Sequence, residues 1–235
     1  MAHVNRLTDA ELRDFSPILA VSAQVLGFAP NSMKTMARNP ELLISFSLLS
    51  KAALGGDVRV PVLGVAGMFL KLIGKGLLNK LRGRHRKRAS SNLRQLVAFA
   101  VSLSAGCRYC QAHTSGTLDR QGVSPEKIEA ILSYSSSPLY TPAERAALDL
   151  AFAAGGAPNR SAPEHFTELR RHFDDDQILD IVTVIAFFGF LNRWNDTMGT
   201  DLEAPALDLA GRRLTASVDW EVGKHAGPTA GRQGT

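Results

Sequence analysis

The stretch LRQLVAFAVSLSAGCRYCQAHT, running from Leu93 to Thr114, carries both the fold signal and the chemistry of this chain. In its first half Leu93, Leu96, Val97 and Ala100 recur at the spacing of one helix face. Ala105-Gly106 then reads as a turn, which sets Cys107 at or near the start of a second helix. Unpaired N–H groups and the helix dipole favour a thiolate at such a position, and Arg108 adds a cation if its side chain turns inward. Residues three apart share a helix face, so Cys107 and Cys110 fall within bridging range and His113 follows one turn on.

Outward from this core stretch, helix starts recur. Thr8 to Glu11 forms a capping box followed by Leu12, Phe15, Leu19 and Leu26 at helical spacing, and Gly27 and Pro30 end that helix. Pro40 opens another helix, with Leu42, Leu43, Phe46, Leu49 and Ala53 on its stripe, up to Gly55-Gly56. Ser124-Pro125, Thr141-Pro142-Ala143-Glu144 and Ser161-Ala162-Pro163-Glu164 predict three further starts, the last two as capping boxes. Stripes at Ala147, Leu148, Leu150 and Ala151, and at Ile178, Ile181, Val182 and Ile185, continue the pattern, while no period-two alternation persists. The expectation is an all-α fold, a compact helical bundle of eight to ten helices in one domain over 1–206. Residues 207–235 form a C-terminal extension, and the Gly-rich, polar run from Gly223 is expected to be disordered.

The chain has 235 residues, long enough to bury a core without disulfides or structural metal. Its net charge of +5 comes largely from one segment, Lys71 to Arg88, so it does not describe a basic protein face. Within 57–88, an apolar run from Val60 to Leu70 passes into Leu72, Ile73, Leu77 and Leu78 interleaved with lysines. It is too short and too charged to span a bilayer. The favoured reading is a core helix followed by a solvated basic loop, and the lesser one is an amphipathic helix touching a membrane surface or a partner. No aromatics interleave with the basic run, so nucleic acid is not an expected partner. Burial of Val60 to Leu81 is most simply met in a homo-oligomer. The start, Met1 to Thr8, lacks a secretory pattern, and the cytoplasm is the expected compartment.

With two cysteines separated only by Arg108 and Tyr109, a bridge would close almost no chain entropy, so the pair does not serve to staple the fold. Cytosolic Cys-x-x-Cys reads as redox chemistry or as metal binding. Zinc takes four ligands, or three plus water, and the remaining histidines, His3, His85, His165, His172 and His225, show no partner motif. A redox dithiol is the leading reading, beside a zinc site and a pair of inert buried thiols. No cofactor is called for.

The stretch from Leu93 to Thr114 resembles the signature of the carboxymuconolactone decarboxylase and alkylhydroperoxidase D superfamily, whose peroxidase-like members carry Cys-x-Tyr-Cys with a histidine on the following turn. Phe190 to Glu203 is similar to the tail of such domains, and Leu26 to Ser32 with Asn39 to Leu43 resembles their start. The segment 57–88 looks like an insertion. The resemblance implies an oligomeric helical domain that reduces peroxides or exchanges disulfides with an external dithiol. It makes Cys110 the peroxide-attacking residue, Cys107 the resolving one and His113 the base. Gln95 stands where many members have a glutamate that relays the proton, and His113 lies three residues after the second cysteine rather than four, a place held here by Thr114. The alternatives are a non-catalytic redox sensor or interaction protein, and a decarboxylase-like enzyme.

Overall fold

A computed structural model describes Val4 and residues 7–26, 28–54, 62–81 and 87–227. Those residues form helices and connecting turns, with no strand among them. The chain divides into two compact units, residues 1–87 and 88–235.

The first unit contains α1 (Asp9–Leu12), α2 (Ser16–Leu26), α3 (Asn31–Met36), α4 (Pro40–Leu54) and α5 (Val62–Leu81). The capping box at its start is formed: Thr8 Oγ1 accepts the Glu11 N–H at 3.4 Å and Glu11 Oε2 accepts the Thr8 N–H at 2.8 Å. Leu12, Phe15, Ile18, Leu19, Met33 and Leu43 make a small core, to which α5 contributes Met68. Val65 and Leu72 pack on the same core at helical spacing from Met68, and beside them Asp14 binds Lys71 at 2.5 Å and also Lys75. These two ammonium groups hold the Asp14 carboxyl below the usual carboxylate range.

The other side of α5 is apolar and uncovered in this chain, with Leu63 89%, Leu70 72% and Ile73 66% exposed. The expected core helix is therefore half of one: a single face meets the core. The basic loop at Arg82, Arg84 and Arg86 lies outside the described residues, and so does the tail after Gly227.

The second unit contains α6 (Ser91–Ala105), α7 (Arg108–Arg120), α8 (Pro125–Glu129), α9 (Pro142–Gly155), α10 (Pro163–Leu169), α11 (Asp175–Met198) and α12 (Ala204–Val218). Central to it is α6, which packs against α7, α9 and α11 and is buried from Leu96 to Ser102. The buried carboxylate of Asp180 on α11 accepts the Ala89 N–H at 3.1 Å and lies 3.6 Å from Arg88 Nε, fixing the entry into α6. By length and composition α11 could cross a membrane, yet it turns Ile178, Ile181 and Ile185 into the unit.

Two expectations need correction here. The helix after Ser161 starts one residue later than the pattern predicts: Ala162 is its cap, and His165 Nδ1, not a glutamate, accepts the Ala162 N–H at 3.0 Å. The described part of the extension, residues 207–227, is ordered against the second unit: α12 begins before residue 207 and packs on α7 and α8, and His225 is buried.

Candidate active site

The site is built where α6 hands over to α7. Gly106 adopts φ +76°, and its N–H and that of Cys107 return to Leu103 O at 3.1 Å and Ser102 O at 3.2 Å, closing α6. An added Cβ at Gly106 would meet nothing within 4 Å, so glycine is favoured there by the positive φ rather than by space.

The chain thereby delivers Cys107 in extended conformation as the N-cap of α7, where its Sγ accepts the Cys110 N–H at 3.4 Å. Both cysteines are free thiols, and Cys107 and Cys110 are 1% and 3% exposed. The Cys110 thiol, aimed at Cys107, lowers the Cys107 pKa; the backbone N–H of Cys110 helps and burial opposes. The Cys110 pKa is raised by the same hydrogen bond, by burial and by the charge on Cys107. The two sulfurs titrate as a pair.

The Cys110 sulfur also meets Asn195 of α11, whose Nδ2 lies 3.5 Å from it. Asn195 is itself held by Leu191 O at 3.0 Å and by the Thr200 hydroxyl at 3.0 Å.

His113 stands one turn beyond Cys110, half-exposed, and its Nε2–H donates to Glu203 Oε2 at 2.8 Å. Glu203 caps α12 and also accepts from the Tyr109 hydroxyl at 3.1 Å. Its own backbone N–H is the largest cause of its lowered pKa, joined by His113 and Tyr109. Burial, then the bond to Glu203, pushes the Tyr109 phenol up to about 12. The Tyr109 and His113 rings pack at 4.4 Å, so Tyr109, His113 and Glu203 form one cluster.

Behind it the C-terminal residues latch onto α7. Trp220 Nε1 donates to Arg108 O at 3.1 Å, and the buried His225 donates from Nδ1 to Thr200 O at 2.8 Å and packs on Tyr109.

The other expected site residues lie elsewhere. Gln95 donates its side-chain amide to Thr114 O at 3.3 Å, tying α6 to the backbone of α7 rather than touching either sulfur. Arg108 turns to Gln111 Oε1 at 3.4 Å. Among the described residues no group of three or more His, Cys, Asp or Glu is disposed to hold a metal ion.

Sequence reading did not assign Glu203 or His225. Glu203 is a helix cap with no hydroxyl or capping-box pattern, and His225 lies in a Gly-rich run that reads as disorder. Asn195 belonged to the polar group closing the apolar run of α11, and that abrupt change of character was its only signal.

The family model for the carboxymuconolactone decarboxylase family matches residues 77–153. The uncharacterized protein YdfG of Bacillus subtilis is 29% identical over 120 residues, 49% of this chain and 81% of that protein. Among solved structures, the apo form of the debrominase Bmp8 is 30% identical, with 88% of this chain and 96% of that one covered and a TM-score of 0.52. A Bmp8 cysteine-to-alanine variant in complex with 2,3,4-tribromopyrrole is 29% identical, covering 90% and 97% at the same TM-score of 0.52.

Proposed function

The chain belongs to the carboxymuconolactone decarboxylase family, and we propose that within it this protein is a thiol-dependent two-electron reductase of hydroperoxides or disulfides. The observation that carries this reading is the placement of Cys107 as a helix cap, with the Cys110 N–H on its sulfur.

The thiolate of Cys107 attacks a peroxide oxygen, the O–O bond breaks, and the alkoxide leaves as alcohol once protonated. Cys110 then attacks the Cys107 sulfenic acid, hydroxide leaves as water, and a disulfide forms. An external dithiol restores the pair. This order inverts the roles implied by the resemblance, because Cys107 holds the cap position and accepts the Cys110 N–H.

His113 carries the proton at the site's edge. With Nε2–H held by Glu203, the neutral ring keeps its lone pair on Nδ1. Glu203 thus supplies a carboxylate to the histidine where Gln95 supplies none.

The test is peroxide-driven thiol loss in the reduced protein across pH. The expected profile rises with an apparent pKa below the free-thiol value of about 8.5. Cys107→Ser abolishes the loss and Cys110→Ser stops it at a sulfenic acid on Cys107. Glu203→Gln slows it about tenfold to a hundredfold without unfolding the protein. Slow loss with an unshifted pKa, equal in both cysteine variants, would refute the reading.

The near-full-length match to Bmp8 favours a second reading, reductive dehalogenation. The Cys107 thiolate takes the halogen from an aryl halide, the aryl carbanion gains a proton, and Cys110 displaces halide to give the disulfide. Stoichiometric bromide release from 2,3,4-tribromopyrrole, with peroxide unreactive, would select it.

A further inference from the structure

His225 is buried at 1% exposure, and the thiol chemistry gives it no part. It lies on the strap of chain that follows α12 and grips the exit of α11 at two points. Its Nδ1–H donates to Thr200 O at 2.8 Å, and its own carbonyl accepts the Leu202 N–H at 2.8 Å. A carbonyl can only accept, so the partner fixes the proton on Nδ1. Earlier in the strap, Trp220 ties it to α7 by donating Nε1–H to Arg108 O at 3.1 Å.

That grip is passed inward to a sulfur. Gly199 ends α11 at φ +59°, and Thr200 next to it donates its hydroxyl to Asn195 Oδ1 at 3.0 Å. On the other side of the amide, Nδ2 donates to Leu191 O at 3.0 Å and to the Cys110 sulfur at 3.5 Å. Turning the amide over would set Oδ1 against the Leu191 carbonyl, so an N–H stays on the sulfur. Titratable groups facing Cys110 are Cys107 and Tyr109 on α7 and Asp196 on α11. Asp196 in turn binds Lys224 of the strap at 2.8 Å and lies 3.7 Å from His225 Nε2. The Cys107 hydrogen bond, burial and the charges on Cys107 and Asp196 raise the Cys110 pKa, and the Asn195 N–H lowers it.

We propose that His225 is a positioning residue for the resolving thiol: through Thr200 and Asn195 it holds an N–H donor on the Cys110 sulfur. When Cys110 attacks the Cys107 sulfenic acid, the S–S bond forms, the S–O bond breaks and hydroxide leaves as water once protonated. The Cys110 sulfur must shed its proton for that attack, and a fixed N–H favours the thiolate. The resolving role of Cys110 rests on the thiol reading; the placement of the donor does not.

The test follows ultraviolet thiolate absorbance against pH in the full chain carrying Cys107→Ser, where Cys110 is the one thiol left, with the variant lacking both cysteines as baseline. Adding His225→Leu or Thr200→Val is expected to raise the midpoint by about one pH unit, the worth of a hydrogen bond to a charged group. Thr200→Ser keeps the hydroxyl and His225→Asn keeps a donor in the place of Nδ1, so both leave the midpoint where it was. An unmoved midpoint in Thr200→Val would overturn the proposal, and that variant decides the matter even where His225→Leu fails to fold. So would a shift in His225→Leu alone, which would assign the effect to the charge on Asp196, or a shift that Thr200→Ser shares, which would assign it to packing. With both cysteines present, His225→Leu should raise the sulfenic acid trapped by dimedone relative to disulfide about tenfold. Peroxide that leaves the wild-type thiols intact would refute the thiol reading, and the Cys110 titration would still decide the relay.

Discussion

α5 and α6 are both apolar helices, yet they end in opposite states. α6 buries eight of its 15 residues, among them Leu96 and Phe99 at 0% exposure. α5, with 20 residues, buries Met68 and leaves Leu63, Leu70, Ile73 and Leu77 in the open. The difference lies in the neighbours. α6 is enclosed by α7, α9 and α11, whereas α5 leans on the small core of its own unit. Apolar content thus reports what a helix needs, and only the surrounding helices decide whether the chain itself supplies it.

Substitutions can break this contrast. The largest expected effect is Phe99→Ala, which empties the centre of the second unit and should cost about 3–5 kcal/mol in chemical denaturation. Leu70→Ala on the outer face of α5 should cost about 0.5 kcal/mol or less if that face meets only water. A loss of about 2 kcal/mol or more there, shrinking on dilution, would show a second copy covering α5 and would erase the contrast.

The smallest effect concerns the charged edge of α5. Asp14→Asn should cost about 1 kcal/mol or less, because Lys71 and Lys75 are more than half exposed. Its pH dependence has a definite sign. The folded pKa of Asp14 is lowered, so its contribution is present above the unfolded value of about 3.9 and is lost as pH falls through the folded value. Wild type and Asp14→Asn should therefore differ at neutral pH and converge near about pH 2.

The same contrast explains what could be read beforehand. Helix class was legible because caps and stripes are local: Thr8, Thr141 and Ser124 each cap the helix their pattern predicts. The cysteine pair was legible for the same reason, since Gly106 and the three-residue spacing set its geometry within one short segment. Partners brought from afar were not. Glu203 reaches His113 across 90 residues of sequence, Asn195 reaches Cys110 across 85, and neither pairing leaves a periodic mark. Gln95 shows the converse failure, because its position in a pattern suggested the site while its amide serves the joint between two helices. The division into two units was hidden because the apolar run of α5 reads like any core helix until its outer face is seen.

One sulfur does two jobs at the head of α7. As a reduced cap, Cys107 satisfies the Cys110 N–H and sits at the positive end of the helix; in a disulfide it would carry no charge and accept more weakly. A cap of this kind is worth about 1 kcal/mol. For a two-electron couple that corresponds to about 20 mV. The helix would therefore weight a Cys107–Cys110 couple toward its reduced form, with the capping energy of α7 entering its reduction potential.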